Sequence, residues 1–174
     1  MKIKIGVMGS AEERPDVFDN GVALGRAIAA RDAILLTGAT TGVIRVVGNA
    51  ARNAGAAHIG VWPGHDAVEH SERYGLPLDA CDAIIYTGFG LKGRNVVLVR
   101  SCDIVIFIAG STGSLNEFTI AYDEGKVIGA LTGTGGVADE IERLTNVFSK
   151  RTRSQIFYDH DPERLIDKCV AAVP

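Results

Sequence analysis

The stretch IFIAGSTGSLNEFTI, residues 106–120, joins an apolar strand-like run to a helix start through a loop rich in glycine, serine and threonine. The same arrangement occurs in ILLTGATTGVIRVV (34–47) and IIYTGFGLKGRNVV (84–97), and more loosely in ALTGTGGVADEI (130–141). A repeated order of strand, glycine loop and helix is typical of a parallel sheet with helical crossovers. This repetition therefore predicts an α/β fold with a parallel sheet.

Seven short runs are predicted as strands because they are almost continuously apolar, as strands covered on both faces are. These runs are residues 3–8, 34–37, 59–62, 84–87, 104–109, 127–131 and 156–158.

Helices are expected between these strands. The segment 94–102 is rich in β-branched residues, but it is predicted as a buried helix because parallel strands need a crossover of about a dozen residues. Pro15 is expected to begin one helix and Asp161-Pro162-Glu163 another, whereas residues 63–82 are expected to form a loop with a short helix. The predicted fold is a doubly wound, mainly parallel, Rossmann-like α/β sheet of about seven strands, in a single nucleotide-binding domain over residues 1–174.

Composition narrows the class of protein. Of the 174 residues, 47% are hydrophobic, which is enough to bury a core, and the net charge of -3 disfavours a nucleic-acid partner. The three cysteines lack C-x-x-C spacing, which predicts neither a disulfide framework nor a zinc site and favours a reducing compartment. The N-terminus does not look like a signal peptide and no apolar run is long enough to span a membrane. We therefore expect a cytoplasmic protein without a membrane partner.

The glycine loops predict a phosphate site. The carboxyl ends of parallel strands meet at one edge of the sheet, where helix N-termini offer unpaired N–H groups and the positive end of the helix dipole. The sequence therefore predicts that a phosphorylated, nucleotide-like small molecule binds at this edge. The alternative for any one loop is a tight connection without a ligand, since glycine is the default turn residue.

Two standard nucleotide fingerprints do not fit the chain. Residues 88–93 read G-x-G-x-x-G, but this motif lies mid-chain, and the nearest candidate for the ribose-binding acid, Asp103, begins its strand instead of ending it. NAD binding in the usual mode is therefore not expected. No G-x-x-x-x-G-K-[ST] motif is present, which disfavours a P-loop triphosphatase.

Several polar and aromatic residues remain open. His65, Asp66, Glu69 and His70 crowd one segment, but histidines five residues apart do not share a helix face, so a solvated polar loop is favoured over a metal site. No metal is expected elsewhere. Trp62 and Phe89 flank strand-end loops and could either stack on a base or pterin ring or pack in the core.

Five further segments match the motifs of one family. The pattern P-G-G-x-G-T-x-x-E stands here as Ala109 to Glu117, and an Arg-bearing helix start with an Arg-x-x-Asp ending stands as Arg94 to Asp103. Residues 37–42 match a glycine-rich phosphate loop, Gly9-Ser10 an opening turn, and residues 61–64 a strand ending in proline. On these residues, the chain resembles the Lonely guy family of cytokinin-activating phosphoribohydrolases, historically labelled lysine decarboxylase-like and part of the SLOG Rossmann-fold superfamily.

Within that superfamily, the pair Arg94-Asn95 and the approach Thr87-Gly88 look more like the branch of molybdenum cofactor carrier proteins. The resemblance implies that Arg94 and Glu117 are the catalytic pair, and that the chain forms a homodimer or a dimer of dimers. It implies no required cofactor, while phosphate or a nucleoside monophosphate can be bound. The phosphate- or nucleotide-binding residues that it implies are Gly9, Ser10, Gly38, Thr40, Thr41, Gly42, Gly88, Asn95, Gly110, Ser111, Thr112, Gly113 and Ser114.

A physical case supports the two implied catalytic residues. A carboxylate such as Glu117 beside a ribose can stabilise an oxocarbenium-like state, and Arg94 can hold a phosphate in a bidentate contact. Two alternatives stay open: Ser114-x-x-Glu117 is also a capping box, and Arg94 could be a solvated first-turn residue, although its charge opposes the helix dipole there.

Three functions are therefore compatible with the sequence. The first is ligand binding without assigned chemistry. The second is hydrolysis of nucleoside 5'-monophosphates to free base and ribose 5-phosphate, and the third is carriage of molybdenum cofactor. Ala109, Ser111 and Ser114 depart from the family pattern and favour binding over hydrolysis, whereas the retained Arg94 and Glu117 favour the enzyme. Lysine decarboxylation is not expected, because the sequence shows no site for pyridoxal phosphate.

Overall fold

The apolar runs form the strands of one sheet. The structure, a computed structural model, describes residues 1–173 and contains a seven-stranded sheet in which every pairing is parallel. Each strand lies within one residue of its predicted range. The strands are β1 (Lys4–Gly9), β2 (Ile34–Thr37), β3 (His58–Trp62), β4 (Ala83–Tyr86), β5 (Ile104–Ile108), β6 (Val127–Leu131) and β7 (Gln155–Asp159).

The described residues contain six α-helices, of which five connect strands and the sixth follows β7. They are α1 (Phe18–Ala29), α2 (Gly42–Asn53), α3 (Gly90–Ser101), α4 (Thr112–Asp123), α5 (Gly136–Val147) and α6 (Pro162–Ala171). The helix predicted over 94–102 is confirmed as α3, which begins four residues earlier at Gly90. The predicted start of α6 is also confirmed, since the side chain of Asp161 caps it by accepting a hydrogen bond of 2.9 Å from the Arg164 amide.

Two segments differ in detail from the prediction. Pro15 begins only a single 3-10 turn, Pro15–Val17, and α1 follows directly from Phe18. The short helix expected within 63–82 is a five-residue π-helical turn, Glu69–Arg73. In both places the sequence signal locates the start of helical backbone but does not determine the type of turn.

The helices cover both faces of the sheet. Side chains such as Leu24, Val43 and Leu165 pack α1, α2 and α6 in one hydrophobic cluster, and side chains such as Leu98, Phe118 and Ile141 pack α3, α4 and α5 in the other. The central strand β5 is buried along its whole length. The structure is therefore the doubly wound, single-domain α/β fold that the sequence predicts, and none of its helices within residues 1–173 has the length and apolar character needed to cross a bilayer.

The strand order places a crevice at one position. The order is β4-β3-β2-β1-β5-β6-β7, so the chain builds outward from β1 on one side and then returns to build outward from β5 on the other. In such sheets the loops that follow the two central strands diverge, and ligands bind in the crevice between them. Here that crevice lies beyond the carboxyl ends of β1 and β5.

Candidate functional site

A cavity of about 270 Å³ lies at this switch point. Its wall combines the loop after β1, the loop after β2, and the first two turns of α3 and α4. The structure brings most of the predicted site residues together there. The predicted residues in the wall are Gly9, Ser10, Gly38, Thr40, Arg94, Asn95, Ser111, Thr112, Gly113, Ser114 and Glu117.

Thr41 and Gly42 lie outside the wall and hold a neighbouring loop. The hydroxyl of Thr41 donates to the carbonyl oxygen of Ala11 at 2.7 Å. Gly42 has a φ of 63° and a Cβ there would lie 2.6 Å from backbone atoms of Ala11, so only glycine fits. These two residues therefore fix the loop after β1 against the start of α2.

Gly88 and Gly110 also lie outside the wall. The amide of Gly88 donates to the carbonyl oxygen of Gly64 at 2.9 Å, which ties the loop after β4 to the loop after β3. Gly110 has a φ of 97°, and a Cβ there would lie 2.7 Å from the Cβ of Ser114. Both glycines serve the path of the backbone.

The fourth glycine loop, before α5, is closed by a carboxylate of its own. Asp139 accepts hydrogen bonds from the amides of Gly133 at 2.7 Å and Gly135 at 2.9 Å. The amides of Val137 and Ala138 donate to carbonyl oxygens of the loop after β5. Four amides at this loop and helix start are thus already paired, and none of their residues lines the cavity.

Arg94 lies in the first two turns of α3 and is only 6% exposed. Its Nη1 donates to the carbonyl oxygen of Val61 at 3.1 Å, and its Nε is buried with no hydrogen-bond partner among the described residues. Burial lowers the pKa of the guanidinium, while the nearby Glu117 opposes that shift. The alternative of a solvated first-turn arginine is therefore wrong.

Glu117 faces the cavity from the second turn of α4 and is 8% exposed. The helix begins at Thr112 with Ser111 as its N-cap, so Ser114 is not a cap and the capping-box alternative is wrong. Ser114 donates instead to the carbonyl oxygen of Gly9 at 3.3 Å. Burial raises the pKa of Glu117 to about 7, against the lowering influence first of Arg94 and then of Lys92.

The first turn of α4 provides backbone donors. Ser111 makes no capping hydrogen bond with its side chain. The amides of Thr112, Gly113 and Ser114 have no carbonyl four residues earlier within the helix, and the positive end of the helix dipole lies at the same place. An anion in the cavity would therefore meet backbone N–H groups on one side and the Arg94 guanidinium on another.

Sequence reasoning missed several residues of the wall, of which Lys92 matters most. Lys92 lies in the first turn of α3 and supplies a second positive charge. The same argument that marked Arg94, a cation at the helix end that repels cations, applies to Lys92 and could have found it. Glu12 adds an acidic group from the loop after β1, and Leu91 adds an apolar one from α3.

The sequence predicts a solvated polar loop after β3, but one of its histidines is buried. His70 is fully buried, packs edge-on against Trp62 with ring centroids 4.4 Å apart, and its Nε2 lies 3.3 Å from the carbonyl oxygen of Pro77.

Trp62 is 2% exposed and cannot stack on a ligand, whereas Phe89 is 68% exposed and lies two residues before the wall residue Leu91. No group of three or more His, Cys, Asp or Glu side chains within residues 1–173 is arranged to hold a metal ion.

The fold and the cavity together define a Rossmann-like α/β protein with a polar ligand crevice at the switch point of its sheet. The family follows from the sequence: the chain belongs to the SLOG cluster4 family, whose model matches residues 2–166. The predicted place in the SLOG superfamily is thereby confirmed.

Solved structures and one curated relative are similar over most of the chain. The molybdenum cofactor binding protein from the phototrophic bacterium Rippkaea orientalis is 28% identical, with a TM-score of 0.80 over 100% of this chain and 99% of its own. The molybdenum cofactor carrier protein from Chlamydomonas reinhardtii is 25% identical, with a TM-score of 0.75 over 98% of this chain and 99% of its own. An uncharacterized protein of Archaeoglobus fulgidus is 29% identical over 129 residues, which are 74% of this chain and 80% of that protein.

Proposed function

We propose that this protein binds a phosphorylated, nucleotide-like small molecule in the cavity between the loops that follow β1 and β5. Binding of a small molecule is supported by membership of the SLOG family and by the similarity to molybdenum cofactor binding and carrier proteins. The phosphate is our own inference, drawn from the residues of the wall.

The observation that carries this proposal is the state of Arg94. A buried guanidinium whose Nε has no protein partner is costly, because burying an unpaired donor costs about 1–3 kcal/mol and more when the group is charged. A phosphate or carboxylate oxygen would satisfy it. The cavity that Arg94 lines also receives the uncapped N-terminus of α4, which is a phosphate-binding element in its own right.

The charges of the wall suit an anion best when Glu117 is protonated. Lys92 and Arg94 then face the single carboxylate of Glu12, and the cavity is net positive. Because burial raises the pKa of Glu117 to about 7, a bound phosphate can shift that residue to its neutral form at little cost. The wall therefore accepts a doubly charged phosphate without opposing it by a second carboxylate.

The binding test compares matched ligands by thermal denaturation. A nucleoside monophosphate is expected to raise the melting temperature more than the same nucleoside does, because a ligand that binds the folded state stabilises it more the tighter it binds at a given concentration. Inorganic phosphate alone should give a smaller rise. Equal shifts of the melting temperature for nucleoside and nucleotide would show that the cavity is not a phosphate site.

A second candidate is hydrolysis of the N-glycosidic bond of a nucleoside 5'-monophosphate, and one observation favours it. Glu117, with a pKa raised to about 7, can give or take a proton at neutral pH, and it lies beside the phosphate-binding elements. Its carboxylate form could stabilise an oxocarbenium-like state or orient water. Chromatography of incubations with a panel of nucleoside monophosphates tests this candidate, with release of free base and ribose 5-phosphate by the wild type and none by Glu117→Gln expected.

A third candidate is carriage of molybdenum cofactor, which rests on the two neighbours named for that ligand. The phosphate of such a ligand would use the same donors as a nucleotide, and exposed Phe89 beside the mouth could contact a flat ring. Competition between the cofactor and a nucleoside monophosphate would show whether one site takes both. The predicted homodimer or dimer of dimers, the lack of a nucleic-acid partner and the cytoplasmic location remain predictions; light scattering at micromolar concentration tests the first.

A further inference from the structure

Asn116 has no place in the cavity wall, yet it contacts the residue that faces Glu117. Asn95, on α3, is 3% exposed and lies between Glu117 and Asn116, which are neighbours on α4. A side-chain amide has two orientations that differ by exchange of its oxygen and nitrogen, and the groups around Asn95 select one of them. These two orientations present opposite groups to Glu117.

In the first orientation, Nδ2 of Asn95 donates to Oδ1 of Asn116 at 2.8 Å. Oδ1 of Asn95 then faces only acceptors, which are the carbonyl oxygen of Leu91 and Oε1 of Glu117. In the second orientation, Nδ2 donates to the Leu91 carbonyl at 3.0 Å and to Glu117 Oε1 at 3.2 Å. The oxygen of Asn95 then faces the Asn116 amide at 2.8 Å, and Asn116 satisfies it by turning its own nitrogen inward.

The two orientations favour different forms of Glu117. The first places two oxygens side by side unless Glu117 is protonated and donates to Asn95. The second supplies a donor to the carboxylate, and a hydrogen bond to the charged form favours that form. The amide of Asn95 therefore couples the orientation of Asn116 to the proton on Glu117.

The other groups near Glu117 act equally in both orientations. Arg94 and Lys92, both on α3, favour the carboxylate, and Glu12 faces the same cavity from the loop after β1. The thiol of Cys102, after α3, interacts with Glu117 but is neutral, because burial raises its pKa to about 12. Only the Asn95 amide favours the carboxylate form of Glu117 in one orientation and the protonated form in the other.

We propose that Asn116 is a positioning residue, which holds the nitrogen of Asn95 toward Glu117 and thereby sets whether Glu117 carries a proton. The second orientation pairs both the oxygen and the nitrogen of the Asn95 amide and is the one that Asn116 stabilises by donating to Asn95. Loss of that donor leaves the orientation supported only by the two acceptors of the nitrogen, Leu91 and Glu117, so the preference for it weakens and the protonated form of Glu117 gains.

The test measures the pKa of Glu117 by carboxyl carbon-13 NMR in the full chain without ligand, with Glu117→Gln identifying the resonance. Asn116→Ala is expected to raise this pKa, but by less than Asn116→Asp does, because Leu91 and Glu117 still accept from the Asn95 nitrogen. The truncation also admits water, which would lower the pKa of Glu117, so a rise indicates that the loss of the contact with Asn95 is its cause. Asn116→Asp is expected to raise it by about one pH unit or more, since a carboxylate can only accept and turns the Asn95 nitrogen away from Glu117.

Thr119→Asp is the matched control for charge. It places a carboxylate one turn further along α4, on an exposed side chain whose hydroxyl donates to the backbone of Asn116 and does not touch Asn95. Its effect on the Glu117 pKa is expected to be smaller than that of Asn116→Asp. An unchanged or lowered pKa in Asn116→Ala, or equal rises in Asn116→Asp and Thr119→Asp, would overturn the proposal. Because no ligand is present, either result leaves the proposed binding function untouched.

Discussion

Gly38 lies against the guanidinium of Arg94, so close that a Cβ at position 38 would collide with Nη1. The same Nη1 donates to the carbonyl oxygen of Val61 on β3. The glycine directly after β2 therefore makes room for the cation that β3 anchors, and a larger residue at position 38 would displace Arg94. The cavity owes its buried positive charge to this arrangement.

Gly38→Ala is expected to displace Arg94 and to destabilise the protein by about 1–3 kcal/mol, the usual cost of forcing extra atoms into a packed site. Chemical denaturation of variant and wild type measures the difference. Gly113→Ala is the control for stability, because a Cβ at this helical position meets no atom within 4 Å. Equal stability of the two variants would show that Arg94 moves aside freely.

Glu117→Gln is expected to stabilise the protein at high pH and to change little at low pH. Burial raises the pKa of the folded carboxyl from 4.5 to about 7, so the folded state of the wild type holds a proton that the unfolded state has lost between these values. The contribution of Glu117 to wild-type stability therefore falls as pH rises through this range, by up to about 3 kcal/mol at 1.4 kcal/mol per pH unit.

Denaturation curves of the two proteins across this range check the sign. Glutamine cannot ionise, so the variant should gain stability relative to the wild type as pH rises through this range. A stability difference that is constant with pH would show that Glu117 titrates normally in the folded state.

His58 is expected to produce the opposite dependence. Its ring is buried, with Nε2 2.8 Å from the Thr37 hydroxyl and Nδ1 unpartnered, and burial lowers its pKa from 6.5 to about 4. The unfolded state thus binds a proton that the folded state does not bind, and the contribution of His58 to stability falls as pH drops from 6.5 toward 4, by up to about 3 kcal/mol.

His58→Gln should lose this acid-side decline while Glu117→Gln loses the decline on the other side, so the two single variants are expected to have slopes of opposite sign between about pH 5 and pH 6.5. The wild type should be flatter than either, because the two ionisations offset each other. Parallel curves for the two variants would contradict both assignments.

Asp139→Asn is expected to destabilise the start of α5 by about 1–2 kcal/mol without altering ligand affinity, since it weakens the acceptor for two loop amides that do not line the cavity. Thermal melts with and without a nucleoside monophosphate measure both effects. Glu140→Gln, which alters an exposed ion pair with Arg143, is the matched control and should change stability by less than about 0.5 kcal/mol. A loss of affinity in Asp139→Asn would show that the fourth glycine loop contributes to ligand binding.

The repeated module of strand, glycine loop and helix predicts the fold well because it is local. The β-branched segment 94–102 shows how topology corrects propensity, since the need for a crossover between β4 and β5 makes it helical. The pair Arg94 and Glu117 could be located from motif and charge. Their burial could not, because it depends on how Gly38 and Val61 approach from other strands.

The glycine loops are harder to tell apart in sequence. Gly38 and Gly113 lie in the cavity wall, whereas Gly88 and Gly110 shape the backbone, and nothing in the local sequence separates the two groups. What decides is the partner of each amide, which is distant in the chain: Gly64 supplies it for Gly88. Lys92 lies between Gly90 and Gly93 in a segment predicted as a glycine loop, so the sequence does not show that it belongs to the first turn of a helix that lines the cavity.

The central claim is that Arg94 and the start of α4 bind a phosphate, and calorimetric titration of wild type and Arg94→Gln with a nucleoside monophosphate and its nucleoside tests it most directly. The wild type is expected to bind the nucleotide more tightly than the nucleoside, and Arg94→Gln to lose about 10- to 100-fold in affinity for the nucleotide alone, the value of a charged hydrogen bond. Arg94→Lys should recover part of that loss, because it keeps the charge but not the planar fork. If the wild type binds both ligands equally, or if Arg94→Gln weakens both to the same extent while still folded, the cavity is not a phosphate site.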